Sequence, residues 1–290
     1  MEIKRATTLD EQIAKMREHG CTIGDESACR EFLRNVNYYR LTAYFLPFRE
    51  QNHKYSAGTS FERIKGIYEL DQKLRAAIFA AVEEIEICMR SRFAYYHAHK
   101  YGSLGYLNPV NFNDRHQHER FLKQTNDELS RNQNTLFVKH HQKKYEGKFP
   151  IWAIIELFSL GMLSHFYADM PLDDRKAIAA DFRTKEPYLV SWLQVLTVLR
   201  NTCAHYGRLY FMNFSKIPKF PKHLQMPPTR SLFHQILTLK LLTPNPAAWN
   251  NTFLPQLAAL TEEYASHISP EHIGFADNWK DILRTASAVK

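Results

Sequence analysis

The sequence predicts an all-α protein, on three observations. Apolar residues recur at helical spacing over long stretches, of which Ile64 to Phe93 is the longest. Ser, Thr and Asp stand just ahead of several of these stretches as helix caps, and strand signals are sparse. The 290 residues suffice for one large domain or two smaller ones, and 44% hydrophobic content is ordinary for a folded chain. We divide the chain into a helical N-terminal region, 1–60, and a larger helical domain, 61–290.

In the first region, Thr8 or Asp10 caps a helix through EQIAKMREHG that Gly20 stops, and Asp25 opens a second. Next comes NVNYYRLTAYFLPFR, residues 35–49. Its aromatics Tyr38, Tyr39, Tyr44, Phe45 and Phe48 alternate with Arg34, Arg40 and Arg49, a composition suited to stacking bases and holding phosphates. Such aromatics are more commonly core, and core is our reading of most of them.

Thr59 or Ser60 caps the next element, a helix from Phe61 to about Lys100 with Gly66 as a place for a kink. Ile64, Ile67, Leu70, Leu74, Ile78, Ala81, Ile85, Met89 and Phe93 give it one apolar face. At 1.5 Å per residue it spans roughly 60 Å, enough for the spine of a bundle. Of the acids Glu83, Glu84 and Glu86, the last can pair with Arg90 one turn on, or a carboxylate here can orient an arginine or histidine of a site.

Gly102, Gly105 and Pro109 end the helix, and NDRHQHERFLKQTNDELSRNQN starts another. The pairs His97/His99, His116/His118 and His140/His141 lack a carboxylate or cysteine partner at ligand spacing, so no metal site is expected. VKHHQKKYEGK, with Lys143 and Lys144, is a basic exposed segment open to RNA backbone or simply to solvent. FPIWAIIELFSLGMLSHFY, 149–167, is expected as a buried central helix. The carboxylate of Glu156 within that apolar run needs a partner, and a basic residue of the motif helix is the natural candidate, Arg200 or another arginine near the active face.

The stretch PYLVSWLQVLTVLRNTCAHYGRLY, 187–210, carries the chemistry. Leu189, Trp192, Leu196, Leu199 and Cys203 make an apolar stripe. At about 100° per residue, Asn201 and His205 lie roughly 160° from its centre, on one outward face, with Arg200 on the shoulder. If the helix continues, Arg208 joins the polar face; Gly207 is the alternative stop, which places Arg208 in the following turn. Guanidinium groups match phosphate oxygens, and an imidazole can take or give a proton near neutral pH. RNA brings its own nucleophile, the 2′-hydroxyl, so cleavage needs positioned donors and acid/base groups and no metal ion or cofactor. A solvated helix end is the plain alternative.

Beyond the motif, MNFSKIPKFPKHLQMPPTR has four prolines and no acid, and we expect an extended basic strap at about 212–230 near the site. The net charge of +8 is concentrated here. No Asp or Glu occurs in 187–261, which holds Arg200, Arg208, Lys216, Lys219, Lys222, Arg230 and Lys240, the asymmetry of a polyanion-binding surface. Two closing helices and a short terminal one complete the chain. The start has no apolar signal core, and no run approaches 18 apolar residues, so no membrane segment is expected. Cys21, Cys29, Cys88 and Cys203 show no pairing pattern, which suits a cytoplasmic protein.

RNTCAH matches the Arg-Asn-x-x-x-His signature of HEPN-fold ribonucleases. LRNTCAHYGRLY, with residues 35–49 and 149–167, resembles the AbiD/AbiF abortive-infection family. The resemblance implies a HEPN-like helical bundle in phage defence or a toxin–antitoxin pair, acting as a metal-independent endoribonuclease. It gives Arg200 and His205 catalytic positions, Asn201 a supporting one and Arg40 a place near the site. It further implies a homodimer that pairs two motifs and a structured non-coding RNA as partner or regulator. A module that binds RNA without cutting it, or a protein-interaction component of defence, are the other readings.

Overall fold

The computed structural model describes residue 3 and residues 5–288. It is a bundle with fourteen α-helices among the described residues, which form only isolated bridges, Thr22 with Ser60 and Arg49 with Tyr55, in place of strands. Among them no helix is long and apolar enough to cross a membrane.

Helix α1 (Leu9–Glu18) begins at a capping box: Thr8 Oγ1 accepts from Glu11 N–H while the Glu11 carboxylate takes the Thr8 N–H. Asp25 caps α2 (Glu26–Asn35), as its spacing predicts. The short α3 (Tyr38–Thr42) runs into a 3₁₀ turn through Phe48. Tyr44, Phe45 and Phe48 are buried and Tyr38 is partly so, whereas Tyr39 stands exposed. These first elements share one continuous apolar core with the rest, through contacts such as Phe32 on Phe61 and Tyr44 on Tyr68.

The spine is α4 (Phe61–Tyr101), an unbroken helix of 41 residues capped by Ser60. Gly66 does not kink it. A Cβ there would stand 2.5 Å from the His267 imidazole, so the glycine admits that ring against the helix. Around the spine lie α5 (His118–Arg131), α6 (Leu136–Lys144), α7 (Ile151–Ile154), α8 (Leu160–Asp169), α9 (Leu172–Asp181) and α10 (Glu186–Ala204), then α11 (Leu232–Leu242), α12 (Pro246–Ala248), α13 (Leu254–Glu263) and α14 (Trp279–Thr285). Helix α10 packs on α4, α8, α9 and α11.

Two expectations are corrected. Residues 149–167 are not one helix: the chain is extended at Phe158 and restarts at α8, capped by Ser159. Local polar capping wins over an apolar run that composition alone would continue. The most buried helix is α11 instead, with every residue from Leu232 to Leu242 inside, including Lys240. Lys240 is thus lost to any basic surface. Burial pushes its pKa down, and its ammonium lies 3.5 Å from Asn250 Oδ1 and near the Trp249 ring.

Candidate active-site edge

The motif sits at the C-terminal end of α10. Asn201 and His205 are exposed and Arg200 is half-buried, while Leu196, Leu199 and Cys203 on the opposite side are core. His205 is the C-cap, and the left-handed residue that ends the helix is Tyr206 (φ 57°), not the glycine after it. Tyr206 N–H donates to Cys203 O and Gly207 N–H to Thr202 O, the paired bonds of a Schellman turn. Gly207 serves the turn differently from expectation. A Cβ there would meet Thr202 Cγ2 at 2.7 Å and Thr202 O at 3.0 Å, so only glycine lets the chain pass so close.

The segment after the motif, Tyr206 to Tyr210, is pinned on both sides by α4 and α3. The carboxylate of Asp71, fully buried, accepts from Leu209 N–H (2.7 Å) and Tyr210 N–H (2.9 Å), and from Tyr44 OH (3.1 Å). Arg75 donates to Gly207 O at 3.1 Å and lies 3.5 Å from Asp71. Arg40 donates to Tyr206 O and Arg208 to Ala43 O. Desolvation pushes the Asp71 pKa up to about 6 against the lowering pull of its donors. Arg40 and Arg208, expected as RNA contacts, thus spend donors on the fold. Arg208 is turned inward, and burial lowers its pKa.

The partner of Arg200 is not Glu156, which lies exposed with no ion pair among the described residues. It is Glu86, 8% exposed on α4, whose Oε2 is 3.7 Å from Arg200 Nε and whose Oε1 binds Arg90 at 2.6 Å. Arg90 in turn donates to Ile155 O, which also accepts from Phe158 N–H, and to Phe158 O, both where the chain breaks between α7 and α8. Glu156 follows the chain into that break and faces outward. The signal for Glu86 was present in its spacing to Arg90, but nothing in the sequence says which acid meets Arg200.

Beside the motif opens a groove of about 800 Å³, lined by Arg40, Tyr68, Gln72, Phe79, Glu83 and Tyr206, among others. Two of the large apolar side chains that line it, Phe79 and Tyr206, are 37% and 69% exposed. Phe79 also lies 5.7 Å from the Arg200 guanidinium.

The strap has no regular helix beyond a 3₁₀ turn at Lys222–Leu224, but it does not run by the motif. Trp192 Nε1 donates to Lys219 O and Ser191 Oγ accepts from Lys219 N–H, so Lys219 and Lys222 lie along the N-terminal half of α10. Lys216 and Arg230 are exposed at its ends. The proline content excludes helix but leaves the direction of the strap open. Lys143 and Lys144 end α6, and Lys144 lines a separate cavity with His141, Lys148 and Trp152. His116 and His118 do converge, at 3.1 Å, because His116 precedes α5; His116 also faces Asp169 at 3.0 Å. No group of three or more His, Cys, Asp or Glu among the described residues is placed to hold a metal ion.

No curated protein and no solved structure matches the chain. The family model of Abi-like proteins matches residues 31–211, a span that runs from the second half of α2 to just past α10 and takes in the Asp71 clamp, Glu86 and the whole motif. The chain therefore belongs to the Abi-like protein family.

Proposed function

We propose that this abortive-infection family member is an endoribonuclease of HEPN type, cleaving RNA by attack of a 2′-hydroxyl on the adjacent phosphate. The observation that carries the reading is the motif edge: His205 and Asn201 open to solvent beside an Arg200 backed by the buried Glu86. In this scheme His205 takes the 2′-hydroxyl proton as the O2′–P bond forms, and Arg200 binds the non-bridging oxygens as their charge grows. Asn201 orients the phosphate. A proton must also reach the departing 5′-oxygen as the P–O5′ bond breaks, and one motif supplies one histidine. A second copy provides it if two motif edges face each other, and the exposed Phe79 and Tyr206 give such a dimer apolar surface to bury. The exposed basic residues Lys216, Lys219, Lys222 and Arg230 favour a structured non-coding RNA as a tightly held partner.

The test is to sequence RNA that copurifies with the protein, with RNA fragments from cells expressing wild type or His205→Ala. An abundant bound RNA plus His205-dependent fragments fits the proposal. Bound RNA with the same fragments from both proteins makes it a module that binds without cutting. No selective RNA at all leaves a protein-interaction role in phage defence.

A further inference from the structure

The groove beside the motif holds donors that the fold leaves unused. Arg75 stands in its wall, 6% exposed, and every hydrogen bond it makes runs through one nitrogen. Its Nη1 donates to Gly207 O at 3.1 Å and lies 3.5 Å from Asp71 Oδ2 and from Tyr44 OH. Nε and Nη2, the pair along the side of the guanidinium, have no hydrogen-bond partner among the described residues and are not sealed from solvent. A nearly buried arginine therefore turns a two-donor fork toward the groove, with the Asp71 carboxylate already beside its charge.

Tyr206 is the second observation. It follows His205 directly, lies in the left-handed region at φ 57° and leaves its ring 69% exposed on the groove. A bulky side chain is strained in that conformation where glycine is not, and the ring is no part of the apolar core. Arg40 holds the Tyr206 carbonyl and Arg75 the next one, so the root of the ring is fixed. Left-handed strain kept at an exposed residue is characteristic of binding sites. Phe79 gives the groove a further ring. Glu83, exposed and in no ion pair among the described residues, gives it an acceptor eight residues along α4 from Arg75, about 12 Å by helix rise.

We infer that the groove is a subsite for a guanine base next to the scissile phosphate. The free fork of Arg75 fits O6 and N7 of guanine, two acceptors side by side, the commonest specific contact between arginine and a base. The far edge of guanine carries the donors N1–H and N2–H₂, which suit the Glu83 carboxylate. Adenine sets an amino group beside its N7, where the fork needs a second acceptor. Tyr206 stacks on the face of the base. A phosphate also suits a guanidinium, but Glu83 would repel it and the rings would gain nothing from it. Ala204 and Tyr206, on either side of His205, both line the groove, which sets the base within a nucleotide of the bond to be cut. In a dimer of facing edges the two rings border the seam, and the base fills the recess beneath it. The inference rests on the ribonuclease reading for the position of the scissile bond, and on the groove alone for the base.

The experiment uses full-length His205→Ala protein, so that RNA stays intact, and short oligouridines carrying one central guanosine, adenosine or cytidine, with binding read by fluorescence anisotropy. The guanosine oligomer should bind tighter than the others by about tenfold or more. Replacing its guanine by 7-deazaguanine, which lacks only the N7 acceptor, should remove most of that margin, and this arm needs no Arg75 variant to fold. Tyr206→Gly should weaken every oligomer by about tenfold yet raise the melting temperature as the strain is relieved, and Tyr206→Trp should restore binding. Glu83→Gln should narrow the guanosine margin. Equal affinity for the three oligomers, or a margin that survives 7-deazaguanine, overturns the subsite. So does a Tyr206→Gly protein that binds RNA like its parent but no longer self-associates, which would assign the groove to a second copy of the chain. With His205 restored, cuts beside guanosine support the inference, and cuts placed without regard to guanine overturn it while leaving the ribonuclease reading. A guanosine margin in a protein that cuts nothing supports the subsite and sinks only that reading.

Discussion

At the scale of single residues, Glu86 and His205 divide two tasks. His205 is exposed and makes no side-chain contact that the fold depends on, so His205→Ala should leave stability within about 0.5 kcal/mol. RNA cleavage should fall by on the order of 10²–10⁴ in the same variant while RNA binding persists. A melting curve and a cleavage assay on one preparation check both. Glu86→Gln should behave differently, because it leaves Arg90 and Arg200 facing each other without their shared anion. We expect about 2 kcal/mol of lost stability, below the usual cost of a broken buried pair because Arg200 is 31% exposed. Cleavage should drop with it, and Glu86→Asp should recover stability before activity. Equal recovery of both would show that Glu86 only holds the fold. The outward face of Asn201 and His205 was legible from the apolar stripe of α10, since a helix fixes angles. The acid behind Arg200 was not, because Glu86 and Glu156 both satisfy a rule that asks only for an anion on an apolar helix.

At the scale of elements, the turn after α10 depends on α4. Both Asp71 oxygens accept backbone N–H groups, so Asp71→Asn must turn an amide NH₂ toward one of these donors. The expected cost is about 3 kcal/mol, read as a lower midpoint in urea with an unchanged slope. Activity should fall through loss of the turn, with no change in what the remaining folded fraction cuts. The spine was readable because its apolar period persists over many turns, and the caps Thr8, Asp25 and Ser60 because each lies directly before its helix. The break at Phe158 was hidden by the unbroken apolar run around it. Proline content foretold that the strap is not helical, and said nothing about its course toward the far end of α10.

For the whole molecule, acid sensitivity arises from buried imidazoles. His97 and His234 are held neutral by burial, each pushed down to about 4 from an ordinary value near 6.5. Between those pH values the unfolded chain binds more protons than the folded one, so stability falls as pH drops through the window. Asp71, raised to about 6, works in the opposite direction between about 4 and 6. Two imidazoles against one carboxyl leave a net loss on acidification. The melting temperature should therefore decline from pH 7 to pH 5. His97 is surrounded by Tyr101, Phe112 and Phe166, and its burial outweighs the raising pull of the Gly105 backbone on its pKa. His97→Phe should raise the melting temperature and flatten its pH dependence; an unchanged profile would mean that His97 does not titrate on unfolding.

Because one nitrogen of Arg90, Nη2, meets both Phe158 O in the α7–α8 break and the Glu86 carboxylate, which also faces Arg200, the break and the motif arginine share a single anion. If the proposed ribonuclease reading holds, that wiring gives selection a dial as well as an off switch. Substitutions at Ile155 to Ser159, far in sequence from RNTCAH, should then lower RNA cleavage by degrees while the motif itself stays intact, whereas a change at His205 should all but abolish it, and a cleavage assay on both sets of variants checks this.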